Sequence, residues 1–462
     1  MRFKRLRRFR YNDLERGRRH FKGGYLTEQP SERIGKDCGP GPLAYNACLT
    51  SMLKESTQRK LTLYLALMLF FHVFLAWNVR RSVQVGLADF TIFYTAGEIL
   101  HQRRGAELYD NTLQETVQRS FSPIGLQKRG SILPYNHPPF EAPLFVPFVR
   151  MTYLTAYVVW LGANLGLTVG LLLFLRKNFV VLGSAPVYLW LLAGFGFFPW
   201  FKALLQGQDS ILLLWCYSVG FLAFRRRNEL HTGSWIGLGL FKFHLVLPFV
   251  FPLVLLRRQR FLTGFFSVSF ALVLLGFAAV GWRGCLSYPS YVWAGENNLT
   301  YVWNSSLGRD TSNLRGLIAT LCPANEPRLT AFLVFLFSAI LLASVTYAWR
   351  RALLANAVYT ELVFALGLVA TVLLSYHIFV HDLSLLFLAA LIVLEVLLSS
   401  RVMRSWARTV LYGCIGILFC TPIYLALSLR YKLMQVIAGV ILIFFVVLLI
   451  EFVRIQSEAD AV

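Results

Sequence analysis

Asp89 sits in the run Ala88-Asp89-Phe90-Thr91-Ile92-Phe93-Tyr94-Thr95-Ala96-Gly97, with apolar and aromatic neighbours on both sides. A carboxylate in such a setting must find a partner or work as an acid or base. Asp also suits the N-cap of a helix over 90–100, and the local sequence leaves both roles open. A second constellation is Tyr376-His377-Ile378-Phe379-Val380-His381-Asp382, which puts two imidazoles and a carboxylate within six residues of one another. Ionisable groups at membrane depth mark functional sites by default. The i, i+4 spacing of His377 and His381 would permit a zinc pair, but the neighbourhood offers only Asp382 as a third ligand, so no metal or cofactor is expected. Lys242 and His244 interrupt the apolar stretch 235–256. Gln208 falls in Gln206-Gly207-Gln208-Asp209, and His137 in Pro134-Tyr135-Asn136-His137-Pro138-Pro139-Phe140. In a dry site, cations and imidazoles of this kind stabilise an anionic leaving oxygen.

The elements that carry these residues must cross a membrane. Of the 462 residues 56% are apolar and only 15% charged, against about 25% charged in soluble domains. Such a chain could not cover its own surface in water. It reads as an all-α polytopic membrane protein with about ten spans, at 61–79, 153–175, 179–198, 209–224, 261–280, 329–349, 357–376, 383–398, 408–427 and 433–453. A short apolar run at 139–149 is suited to an interface. The net charge of +22 is concentrated in the tail 1–60, which holds fifteen of the 45 Lys and Arg, and in short clusters between spans. That is the distribution of topology determinants and does not resemble a groove for nucleic acid. The tail is too poor in apolar residues to fold alone, carries no cleavable signal, and is suited to anionic lipid headgroups.

With the tail on the cytoplasmic side, Arg225-Arg226-Arg227 and Arg257-Arg258-Arg260 share that side only if 235–256 enters and returns as a re-entrant hairpin. The loops 80–137 and 377–382 then face outward together. Membrane residues 61–453 form one domain, 454–462 a short cytoplasmic tail, and the loop 281–327 an outer segment. Its Cys285 and Cys322 would meet an oxidising compartment, where they pair if geometry allows and otherwise remain two separate thiols.

The ordered set A-D-F-x-x-F-Y-x-A-G, G-A-E-L-Y-D, Y-N-H-P-P-F, G-Q-D-S, the hairpin with Lys242, and S-Y-H-I-F-V-H-D-L resembles glycosyltransferase family 87 across about 85–395. This family belongs to the GT-C membrane glycosyltransferases and includes enzymes that build phosphatidylinositol mannosides. The resemblance implies a hexosyltransferase, most simply a mannosyltransferase, with a polyprenyl-phosphate sugar as donor and a lipid or glycan acceptor outside the cytoplasmic membrane. It implies that Asp89 is the general base and that His377 or His381 contributes to the site, with Lys242, His244, His137, Gln208 and Asp382 nearby. The sequence departs from the family where Gln208 is followed by Asp209 and Ser210, the family having an Asn two residues after the glutamine, and where Lys242-Phe243-His244 has no proline until Pro248. A multi-span lipid or solute transporter is the alternative, since broken intramembrane segments also build transporter sites.

Overall fold

The computed structural model describes residues 55–297, 311–323, 326–354, 357 and 359–461. The basic tail up to residue 54 therefore lies outside the described residues. The chain is all-helical, with no strand among the described residues. Seven helices are long and apolar enough to cross a membrane, and up to nine if each of two bent pairs is one span; two shorter apolar helices complete the set. Together these cover every expected segment.

Several boundaries move. The first helix runs Glu55–Gln84 rather than 61–79. The last runs Val436–Asp460, so 454–460 continue its helix. The helix Gln259–Asn297 runs on through the first part of the expected loop 281–327, with a kink at Gly281 (φ 70°, ψ 179°). Cys285 and Cys322 are both free thiols, so the pairing considered from their compartment is not made. Two spans bend, by 66° between Val187–Phe195 and Phe198–Gln206 and by 62° between Ser405–Leu418 and Thr421–Tyr431. Pro199 and Pro422 stand in the first turn after each break, where proline starts a helix but cannot continue one.

Glu229–Leu255 is a re-entrant hairpin. By length and composition the segment could pass as one span, but a straight helix of that length would hold its ends about 40 Å apart. Instead Glu229 forms an ion pair with Arg258, three residues past the far end. The descending limb, Phe243–Leu255, packs beside Ser210–Arg225, with the Tyr217 hydroxyl donating to the Leu245 carbonyl at 2.7 Å. The turn between the limbs is a 3-10 segment, Gly239–Lys242. Gly239 lets the turn pack closely: a Cβ there would come within 2.8 Å of the end of the Leu213 side chain.

The arginine-bearing turns gather at one end of the bundle. Arg225 donates to the Asn178 carbonyl, Glu395 accepts the backbone N–H groups of Val180, Val181 and Leu182, and Glu451 bridges Arg404 and Arg454. At the other end, residues 85–152 fold into a small helical cap. Its centre is the helix Phe90–His101, buried on nearly every face, which in a connecting segment means that it is the core of its own unit. Against it packs the 3-10 run Ala142–Arg150, so close that a Cβ on Gly97 would lie 2.7 Å from the Phe145 carbonyl oxygen. The apolar run read as interfacial is thus the cap's inner wall.

Candidate active site

Four separate segments meet beneath the cap. The turn before Phe90–His101 is held by the Ser122 hydroxyl donating to Val85 O, and by Thr91 and Arg129 donating to Gly86 O. Asp89 follows with helical backbone angles and makes no side-chain cap. Its backbone N–H donates to Gln206 Oε1 at 3.0 Å, and its carboxylate accepts from Gln208 Nε2 at 2.8 Å. A true side-chain cap is made at the later helix Asn111–Phe121, where Asp110 accepts from the N–H groups of Thr112 and Leu113. Asp89 is 29% exposed, unlike the other carboxylates of the site.

Gln208 is presented by a tight turn. Gly207 takes φ +66° after the helix Phe198–Gln206, and its carbonyl accepts from Trp160 Nε1 at 2.8 Å. Asp209, wholly buried, follows immediately. At the hairpin's tip, Lys242 is 2% exposed and reaches Asp209 at 3.1 Å and Asp382 at 2.7 Å, with Gln208 Oε1 at 3.3 Å. An ammonium taken from water is tolerated only with such partners, and removing one member of a buried ionic set typically costs about 3–5 kcal/mol. The three groups therefore tie the hairpin, the Gln208 turn and the His381-Asp382 segment together.

Asp382 also accepts the Phe379 N–H at 3.1 Å, capping the 3-10 run Val380–Leu385. His381 lies between two carboxylates, with Nε2 3.5 Å from Asp382 and Nδ1 3.9 Å from Asp89. His244 and His377 face each other with rings perpendicular and centroids 6.4 Å apart. Burial lowers His377 to about 4, so it is neutral at ordinary pH.

Behind Asp209 the cap contributes His137, which pairs with Glu141 at 2.7 Å and approaches Asp209 at 3.7 Å. Burial pushes Glu141 up to about 8, against the pull of His137. Asp209 is thus flanked by Lys242 on one side and His137 on the other. His137, Glu141 and Asp209 offer ligand atoms within 4.8 Å of one another and could in geometry hold a divalent ion. Lys242 beside Asp209 already supplies positive charge there. The group is not the His377/His381 pair whose spacing suggested zinc.

All eight residues singled out from the sequence (Asp89, His137, Gln208, Lys242, His244, His377, His381 and Asp382) line one cavity of about 550 Å³. Arg129, Asn136, Lys202 and Gln206 line it too. Sequence reasoning missed Arg129 and Lys202 because each is a single basic residue in an amphipathic or apolar stretch. It missed Glu141, which follows Y-N-H-P-P-F directly, because only the fold turns it back onto His137. The geometry offers a semi-exposed carboxylate, oriented by an amide, at the edge of a cationic and imidazole-lined chamber. That arrangement suits removal of a proton from a hydroxyl while negative charge develops a few ångströms away.

Comparison with known proteins gives a match to the family model of glycosyltransferase family 87 over residues 135–376, just over half of the chain. No curated protein and no solved structure matches. The matched region contains His137, Gln208, Lys242 and His244, while Asp89 lies before it and His377, His381 and Asp382 just after. The chain belongs to glycosyltransferase family 87 and is a membrane glycosyltransferase acting on a sugar donor and an acceptor.

Proposed function

We propose that this protein transfers a hexose, mannose by the family resemblance, from a polyprenyl-phosphate donor to a lipid or glycan acceptor on the extracytoplasmic side of the cytoplasmic membrane. The observation that carries the reading is the placement of Asp89: its carboxylate fills no helix cap, meets a basic side chain only in the 3.9 Å approach of His381 among the described residues, and faces the cavity where the other sequence-selected residues converge. Asp89 accepts the proton of the acceptor hydroxyl as its oxygen bonds to the anomeric carbon. The bond from that carbon to the phosphate oxygen breaks on the opposite face, and the electron pair leaves with the phosphate. One displacement inverts the anomeric centre. A base of this kind typically contributes about 10²–10⁴-fold.

Gln208 fixes the orientation of the carboxylate, and Lys242 fixes Gln208. His381, between Asp89 and Asp382, is placed to share the proton taken up. The sidedness rests on the arginine-rich end of the bundle being opposite the cavity, since Lys and Arg mark the cytoplasmic side. A lipid-carried donor follows from that sidedness, because nucleotide sugars are confined to the cytoplasm. The test is to incubate the purified protein with polyprenyl-phosphate-mannose and a cell-envelope lipid extract, then look by mass spectrometry for a glycolipid heavier by one hexose. Transfer from a nucleotide sugar alone, with none from the lipid donor, would contradict the reading.

A further inference from the structure

The cavity holds three side-chain cations, and they are not equivalent. Lys242 is neutralised twice over, by Asp209 and Asp382. Lys202 lines the same cavity from the bent helix Phe198–Gln206, and has no hydrogen bond and no carboxylate within 4 Å among the described residues. Arg129 ends the short helix Pro123–Arg129 and donates to Gly86 O, Ser131 O and Gln118 Oε1. All three acceptors are neutral. They fix the guanidinium plane without cancelling its charge and leave two of its five N–H groups unused. Both cations lie within electrostatic reach of Asp89, so they border the place where the proposed chemistry occurs.

We propose that Lys202 and Arg129 form the seat for the donor's phosphate, an assignment that rests on the polyprenyl-phosphate reading above. The charge balance of the reaction favours it. The donor is a phosphodiester with one negative charge. When the sugar leaves, the bridging oxygen keeps the electron pair and the product is a monoester with up to two charges, while the acceptor's proton resides on Asp89. Two uncompensated cations match the product charge and the charge developing toward it better than they match the ground state, which is the condition for accelerating the step. An arginine held in a fixed plane presents its fork to two phosphate oxygens, and a lysine supplies a mobile point charge. Lys242, by contrast, positions Gln208 and Asp382 rather than meeting the phosphate.

The experiment compares binding of a polyprenyl monophosphate, the polyprenol of equal length and inorganic phosphate to the full chain in detergent. It uses the wild type, Lys202→Met, Arg129→Gln, Arg129→Lys and, as a control on the exposed side of the same turn, Lys128→Gln. The wild type should prefer the lipid phosphate over the alcohol by tenfold or more. Lys202→Met and Arg129→Gln should each lose most of that preference and raise the KM for donor, Arg129→Lys should recover part of it, and Lys128→Gln should match the wild type. A merely structural role would lower affinity for alcohol and phosphate alike and leave their ratio unchanged. If Arg129→Gln does not fold, Lys202→Met decides. Undiminished preference in Lys202→Met overturns the seat while leaving the donor reading intact. Absence of any preference in the wild type overturns both, and inorganic phosphate binding as tightly as the lipid would make this a free-phosphate site and overturn the proposal.

Discussion

At the scale of single residues, the site is a chain of charges whose members have different duties. Lys242, Asp209 and Asp382 are buried and mutually neutralising, whereas Asp89 is half open and tethered through an amide. The His137–Glu141 pair gives a pH test. Glu141 is pushed up to about 8 by burial, so the folded protein retains near neutrality a proton that the unfolded chain has lost. Stability therefore falls as pH rises from the ordinary carboxylate range toward 8, by at most about 1.4 kcal/mol per pH unit. His137, also raised, changes stability in the same direction. His377, lowered by burial, contributes the opposite slope up to about pH 7, so the effect of Glu141 emerges above it: we expect the melting temperature of the detergent-purified protein to drop by roughly 1–2 °C per unit between pH 7 and 8. Glu141→Gln, which removes both the titrating carboxyl and the partner of His137, should flatten the curve; an equal slope in that variant would contradict the assignment. These couplings were only half legible in the sequence. Asp89, Lys242 and the His377–Asp382 run stood out because polar groups in apolar surroundings demand an explanation. Glu141, Lys202 and Arg129 did not, because their surroundings exist only after folding.

At the scale of elements, turns do the positioning. Gly207 has φ +66°, and a Cβ there would come within 2.8 Å of the Phe90 Cβ, next to Asp89. Gly207→Ala therefore strains the backbone and separates the two segments that share the Gln208–Asp89 hydrogen bond. It should destabilise the protein by about 1–3 kcal/mol and lower kcat more than tenfold, as read by thermal melting and a turnover assay. A fully active, equally stable Ala variant would mean that the turn does not position the base. The apolar helices and the hairpin were readable from apolar length and flanking arginines. The helical cap was not, because its elements are short: Ala142–Arg150 reads as an interfacial run until the Phe90–His101 helix is placed against it.

For the molecule as a whole, the proposed sidedness requires both ends of the Glu229–Leu255 hairpin to lie on one side and the cavity on the other. Single cysteines at Asn228 and Arg257, in a chain with the native cysteines replaced by serine, should react with a membrane-impermeant maleimide from the same side, while one at Gln127 reacts from the opposite side. Labelling of positions 228 and 257 from opposite sides would make the segment a full crossing and invert everything after it. The basic clusters suggested this topology in the sequence, and the Glu229–Arg258 pair brings the two ends of the segment together. In the proposed reaction the assembled cavity transfers a sugar with Asp89 as base. Its most direct test is turnover of polyprenyl-phosphate-mannose by wild-type and Asp89→Asn proteins of matched melting temperature. We expect kcat to fall at least about 100-fold in the Asn variant; undiminished turnover there would mean that Asp89 is not the base.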